Sequence, residues 1–128
     1  MTGEAQTRLS GATILVAEDE PLIAADLADM LRDEGAKVVV ATNLSDSLKG
    51  AEMPELTLAI VDHRFGRSTS ADVCAKLDER GIPFVVHTGF DEVPMECKHG
   101  VILRKPERAE IIVKTLVDLL QNNVSDQA

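Results

Sequence analysis

Leu58-Ala59-Ile60-Val61-Asp62 is an unbroken apolar run that stops at a carboxylate. A run this short, with no polar alternation, reads as a strand buried on both faces, as in a parallel sheet covered by helices. In such sheets the reactive groups collect just beyond the carboxyl ends of the strands. Asp62 stands at that place. Ile14-Leu15-Val16-Ala17 ends in the same way at Glu18-Asp19-Glu20, and Phe84-Val85-Val86-His87 ends at Thr88. Val101-Ile102-Leu103 runs out at Arg104-Lys105-Pro106. Together these ends bring acids, a hydroxyl and a lysine to one edge.

Outward from these runs the chain alternates. Met1 to Gly11 is polar and reads as a flexible segment. Strands are expected at Ala12–Ala17, Ala36–Ala41, Leu56–Val61, Ile82–His87 and Gly100–Leu103. Pro21 suits the first turn of a helix, where its missing N–H costs nothing. Leu22, Ile23, Leu27, Met30 and Leu31 follow at helical spacing, and Gly35 supplies a left-handed stop. A short helix is expected from Leu44 to Glu52. Arg64 to Ser70 reads as a polar loop, with Thr69 or Ser70 capping a helix that carries Val73, Cys74 and Leu77. Gly89 to Gly100, interrupted by Asp91 and Pro94, has room only for a short or mobile helix. Glu107 to Gln121 is the last helix, with Ile112, Leu116, Leu119 and Leu120 inward, and a polar tail follows to Ala128. Five strands alternating with five helices make a doubly wound parallel α/β sheet. Residues 12–122 form its single domain, between the segment 1–11 and the tail 123–128.

At 128 residues one core is expected, and no output domain fits in what remains. No run reaches membrane-spanning length and no signal peptide is visible, so the expected location is cytoplasmic, without membrane association. Cys74 and Cys97 lack metal-ligand spacing, and in that compartment two buried thiols are expected rather than a disulfide. The net charge is -9, from 13 basic and 22 acidic residues, which argues against a nucleic-acid partner. It suits a divalent cation, a basic partner surface or simple solubility.

Glu18, Asp19 and Asp62 are the main chemical constellation. Carboxylates gathered at one edge disfavour one another's ionisation, and a hard divalent cation relieves this. A bound magnesium ion would neutralise an incoming phosphoryl group and align it for attack by a carboxylate oxygen. Lys105 is placed to pair with the acids at rest and with a phosphoryl oxygen afterwards, and Thr88 to donate its hydroxyl. The plainer alternative is that Glu18, Asp19 and Glu20 merely favour the N-terminus of the following helix. His63 and His87 adjoin the key positions but, by strand alternation, are expected to point away from them and to be exposed or partly packed.

The strings ILVAEDEP, LAIVDHR, VVHTGF and VILRKP, in that order, resemble the receiver domain of two-component response regulators, from about Ala12 to Leu120. The resemblance implies a flavodoxin-like (β/α)5 fold with strand order 2-1-3-4-5. It makes Asp62 the phosphoacceptor, Thr88 the switch hydroxyl and Lys105 the invariant lysine. It assigns Mg2+ as the cofactor, held by Asp19, Asp62 and the backbone carbonyl of Arg64, with Glu18 acting mainly through water. It also implies a cis bond at Lys105-Pro106. The expected partner is a sensor histidine kinase, with a histidine phosphotransfer protein or a target protein beyond it, and the expected function is a single-domain switch or phosphate sink.

Departures from the family pattern sharpen this. The position of the usual switch aromatic holds Ile102, and the chain has no Tyr or Trp. Phe90, following Gly89, is one replacement. Pro83 to Phe90, with Leu103 to Pro106, is similar to the "FATGUY" receivers of alphaproteobacteria, which implies a kinase of HWE or related type. Phe90 and Arg64 should flank the water that hydrolyses an acyl phosphate. A phosphorylation-independent interaction module with the same fold is the alternative reading. A phosphohydrolase needs a second acid where Arg64 stands, so no enzyme is expected.

Overall fold

The computed structural model describes residues 8–65, 68–89, 92–105 and 107–127, the last five as backbone only. Phe90 and Pro106, and with them the expected role of the first and the cis bond at the second, lie outside the described residues. Five parallel strands form the sheet: β1 (Thr13–Ala17), β2 (Lys37–Ala41), β3 (Leu58–Asp62), β6 (Phe84–Thr88) and β7 (Val101–Arg104), in the order β2-β1-β3-β6-β7. Counting only the sheet's own strands, that is the expected 2-1-3-4-5. The three central strands are buried along their whole length, whereas β2 and β7 are partly exposed edges. This is why the unbroken apolar runs belong to the centre.

Alternation along each strand feeds two cores. Leu15, Ala17, Ala59, Val61 and Val86 face α2 (Leu44–Ala51) and α3 (Ala71–Glu79), packing with Ala51, Val73, Cys74 and Leu77. Ile14, Val16, Leu58, Ile60 and Val85 face α1 (Pro21–Asp33) and α4 (Ala109–Gln127), packing with Leu27, Leu31, Ile112 and Leu116. Pro21 opens α1 as expected, and Asn43 caps α2 by accepting from the Asp46 N–H at 2.8 Å. Among the described residues no helix is long and apolar enough to cross a membrane.

Several expectations are corrected. The segment expected to be loose ends in a turn in which Leu9 is fully buried and donates to the Glu34 carbonyl at 2.9 Å. The Arg8 guanidinium grips the Glu34 carboxylate through two 2.9 Å bonds, so the ordered part of the chain reaches back beyond Ala12. On α1, Leu22 is exposed and the buried positions are Ala24, Leu27, Ala28 and Leu31. The small Ala side chains let the helix lie close to the sheet. The loop expected at Arg64 to Ser70 contains a short antiparallel hairpin, β4 (Arg64–Phe65) and β5 (Ser68–Thr69), with Phe65 buried beneath it. Of the two capping candidates, the Thr69 hydroxyl accepts from the Ala71 N–H at 3.4 Å, whereas the Ser70 hydroxyl donates to the His63 carbonyl. The fourth expected helix, between Gly89 and Gly100, is short as expected, a single 3-10 turn at Met95–Cys97, so four α-helices rather than five are present among the described residues. The last helix continues to Gln127, because no Gly or Pro interrupts residues 122–127.

Cys74 and Cys97 are joined in a disulfide, contrary to the expectation of two thiols. Sequence spacing was uninformative because the fold makes the contact. It brings α3 against the 3-10 turn and places the two Cα atoms 5.0 Å apart, within bonding range.

Candidate functional site

Parallel register carries the reactive residues to one edge. Ala17 pairs with Val61, Asp62 with His87, and Thr88 with Arg104, so Glu18, Asp62, Thr88 and Lys105 leave neighbouring strands side by side. The Lys105 N–H donates to the Thr88 carbonyl at 2.6 Å and continues the ladder one residue past β7. Glu18 and Thr88 are buried, Asp62 nearly so, and Asp19 is exposed.

Carboxylate oxygens of Glu18, Asp19 and Asp62 lie within 4.8 Å of one another. Lys105 Nζ sits between two of these groups, 3.3 Å from Asp62 Oδ1 and 3.4 Å from Glu18 Oε1. The second oxygen of Glu18 accepts from the Glu20 N–H at 3.2 Å. Burial, and then the charge of Asp62, push the Glu18 carboxyl up to about 7, although the Glu20 N–H and Lys105 pull it down. The cluster is therefore short of positive charge even with Lys105 in place. Hard oxygen donors and surplus negative charge fit a cation of the magnesium or calcium class. Arg64, expected to lend its backbone carbonyl, opens β4 opposite Thr69 with its side chain exposed.

The two histidines next to the key positions are buried, against expectation. His63 stays inside because the chain turns directly into the hairpin rather than into an open loop. Its Nδ1 lies 3.1 Å from Thr88 Oγ1. His87 follows strand alternation into the α1/α4 layer. There it borders a cavity of about 280 Å3 lined also by Ile23, Leu27, Met30, Ile112 and Glu107. Neither His87 ring nitrogen has a hydrogen-bond partner among the described residues. Burial holds both imidazoles below their ordinary range, helped by Arg64 at His63 and by Lys105 at His87, so both are neutral at pH 7. Sequence alone gave one usable signal here: β3 and β6 keep their period of two to the last residue, which turns His87 inward.

The fold is that of response regulator receiver domains. Among solved structures, the receiver domain protein (CheY-like) from Methanospirillum hungatei JF-1 superposes with a TM-score of 0.81 at 18% identity, covering 91% of this chain and 99% of that one. A response regulator receiver protein from Sinorhizobium medicae WSM419 gives 0.74 at 22% identity, covering 88% and 97%. Among curated proteins, the transcriptional regulatory protein PdtaR of Mycobacterium tuberculosis is 37% identical over 81 residues. That match covers 62% of this chain, which spans only 40% of the relative's length. No family model matches. The receiver resemblance read from the four strand-end strings is thus borne out.

Proposed function

We propose that this chain is a phosphoacceptor module of cytoplasmic two-component signalling. Asp62 receives a phosphoryl group from a sensor histidine kinase of HWE or related type, or from a histidine phosphotransfer protein. The chain then acts as a switch or phosphate sink. The observation that carries the reading is the position of Lys105 Nζ, 3.3 Å from Asp62 and 3.4 Å from Glu18 in a cluster of three carboxylates.

In the transfer an Asp62 oxygen attacks phosphorus while the bond to the donor imidazole nitrogen breaks, and that nitrogen leaves with the electron pair. Lys105 is placed to exchange its contact with Asp62 for one with a phosphoryl oxygen. Thr88 is placed beside the acceptor strand to donate its hydroxyl to another. Glu18, Asp19, Asp62 and the Arg64 carbonyl would hold Mg2+. When bound, the ion supplies charge neutralisation for the phosphoryl group.

The test is incubation with a small phosphodonor and Mg2+, followed by intact mass. A single phosphoryl adduct is expected, absent from Asp62→Ala and from a magnesium-free sample. The second reading, a phosphorylation-independent interaction module, is favoured by Ile102. It is 40% exposed on the outer strand β7, where an aromatic switch would stand. Absence of both the adduct and Mg2+ binding would establish that reading instead.

A further inference from the structure

We infer that Cys74 and Cys97 form a reversible thiol–disulfide site, opened by a dithiol reductant, which frees the turn before β7 and makes the acceptor edge respond to redox state. The coupling to that edge rests on the phosphoacceptor reading above; the redox site itself does not.

Both sulfurs are fully buried, in the core shared with Val73, Leu77 and Phe84. Ser70, also fully buried, adjoins both of them. Its hydroxyl lies 3.9 Å from Cys74 Sγ and 3.8 Å from Cys97 Sγ, and its carbonyl lies 3.9 Å from Cys97 Sγ. A sulfur in the bridge carries no hydrogen. After reduction each thiol is a weak donor. An acceptor already stands within reach of each, the Ser70 hydroxyl oxygen for Cys74 and the Ser70 carbonyl for Cys97. Free thiols are also among the side chains most readily buried. The surroundings thus suit both oxidation states, and opening the bridge does not require the domain to unfold. In the reducing cytoplasm of the proposed reading, a disulfide is typically transient and redox-sensing rather than permanent.

The two ends of the bridge differ. Cys74 lies within α3, whereas Cys97 ends a three-residue 3-10 turn. The hydrogen bonds of that turn are local: Cys97 N–H to the Pro94 carbonyl at 2.9 Å, Lys98 N–H to Met95 at 3.1 Å and Gly100 N–H to Cys97 at 3.2 Å. A further tie to α3 is the exposed pair of His99 Nδ1 and Asp78 Oδ2, 2.8 Å apart. Such a segment opens at lower cost than the sheet. Opening uncovers Cys97 Sγ to a thiolate. Attack there breaks the bond to Cys74 Sγ, which leaves with the electron pair and takes up a proton. The second thiol of the reductant then attacks its own sulfur in the mixed disulfide, and Cys97 leaves as a thiolate and is protonated. Two electrons and two protons pass to the protein, and the dithiol becomes a disulfide.

Two features connect this site to the acceptor edge. The ring that the bridge closes, from Cys74 to Cys97, contains β6 and Thr88. Ser70 donates its N–H and its hydroxyl to the His63 carbonyl, at 2.9 and 3.1 Å, and His63 directly follows Asp62. When oxidised, the bridge pins the turn after β6 to α3. When reduced, that turn is free to follow Thr88 towards a phosphorylated Asp62.

The experiment compares the oxidised and reduced wild type. Alkylation and intact mass, without denaturant, should count no thiols before dithiothreitol and two after it, and oxidised glutathione should restore the bridge. Thiols that appear only once urea unfolds the chain would overturn the site. In brief hydrogen–deuterium exchange, residues 92–100 should take up more deuterium after reduction while β1 and β3 stay protected; unchanged uptake over 92–100 would also overturn it. Beryllofluoride with Mg2+ should bind the reduced form at least about fivefold more tightly than the oxidised form. Cys74→Ala, Cys97→Ala should match the reduced form and ignore the reductant. Equal affinities in the two wild-type states, a comparison that needs no variant, would overturn the coupling. If neither state binds the mimic while the thiol count and the exchange behave as expected, the phosphoacceptor reading fails and the redox site stands.

Discussion

Replacing Glu18 by Gln tests the electrostatics of the cluster while leaving Asp62 in place. The Glu18 carboxyl is 2% exposed and is pushed up to about 7 from 4.5, first by burial and then by the charge of Asp62. In the unfolded chain it ionises near 4.5, whereas in the folded protein it keeps its proton to about 7. Between those values the folded state binds more protons, so stability falls as pH rises. The contribution is complete below 4.5 and gone above about 7. A shift from 4.5 to about 7 corresponds to about 3 kcal/mol. The wild-type curve alone does not isolate this, because His63 and His87 are both held below 6.5. Each histidine contributes stability that is present above 6.5 and lost as the pH falls below it, the opposite slope in an overlapping window. Glutamine mimics the protonated acid at every pH and leaves both histidines unchanged. The difference between wild type and Glu18→Gln in urea unfolding free energy, without divalent cations, should therefore fall by about 3 kcal/mol from about pH 4.5 to about pH 8. Parallel curves for the two proteins would refute the reasoning, since Glu18 would then titrate alike in both states.

Lys105→Met removes the cation 3.3 Å from Asp62 and 3.4 Å from Glu18, so calorimetry should show a divalent cation binding several-fold more tightly as a repulsion is lost; weaker binding would contradict this. His87→Phe replaces an imidazole whose two nitrogens have no partner among the described residues, and should stabilise the protein by about 1 kcal/mol while flattening the loss of stability below 6.5. A marked loss of stability in chemical denaturation would sink that expectation. The Cys74–Cys97 bridge closes a separation of 23 residues, so reduction should cost about 3 kcal/mol in urea unfolding, with a Cys74→Ala, Cys97→Ala variant insensitive to reductant. At Gly100 an added Cβ would lie 2.9 Å from the Phe84 carbonyl oxygen and nearer still to its ring, so Gly100→Ala should lower stability by about 1–3 kcal/mol; an unchanged midpoint would show that the backbone gives way freely.

What was legible in the sequence is what periodicity and punctuation control. The apolar runs around Leu15, Ile60 and Val85 specify buried central strands. Pro21 and Gly35 bracket the first helix, and the strand ends bring Glu18, Asp62 and Lys105 together. What was not legible depends on contacts between segments distant in the chain. Nothing local to Cys74 or Cys97 says that α3 and the turn before β7 will touch. Nothing near Leu9 announces that the C-terminal end of α1 will cover it. His63 was misread for a different reason. It directly precedes the segment expected as an open loop, and the hairpin of Arg64–Phe65 with Ser68–Thr69 stands there instead, with the ring buried.

The raised Glu18 carboxyl and the cation site express one shortage of charge. The fold places three carboxylates at neighbouring strand ends, and Lys105 is the cation that the structure pairs with two of them. Near neutral pH a proton on Glu18 supplies part of what is missing. On the proposed reading, phosphorylation exchanges the single charge of Asp62 for a phosphoryl group of roughly −2. Lys105 and one proton on Glu18 cannot match that. A second positive charge must enter with the phosphoryl group, and a divalent ion held by oxygens of this cluster provides it. Proton and cation then compete for the same carboxylates, so cation binding should release a proton from Glu18 on the acid side of about 7 and tighten as the pH rises towards it. Glu18→Gln should abolish that proton release while Asp19 and Asp62 still bind the ion. This separates a cation drawn by the charge deficit from one held merely because acids are exposed at a sheet edge.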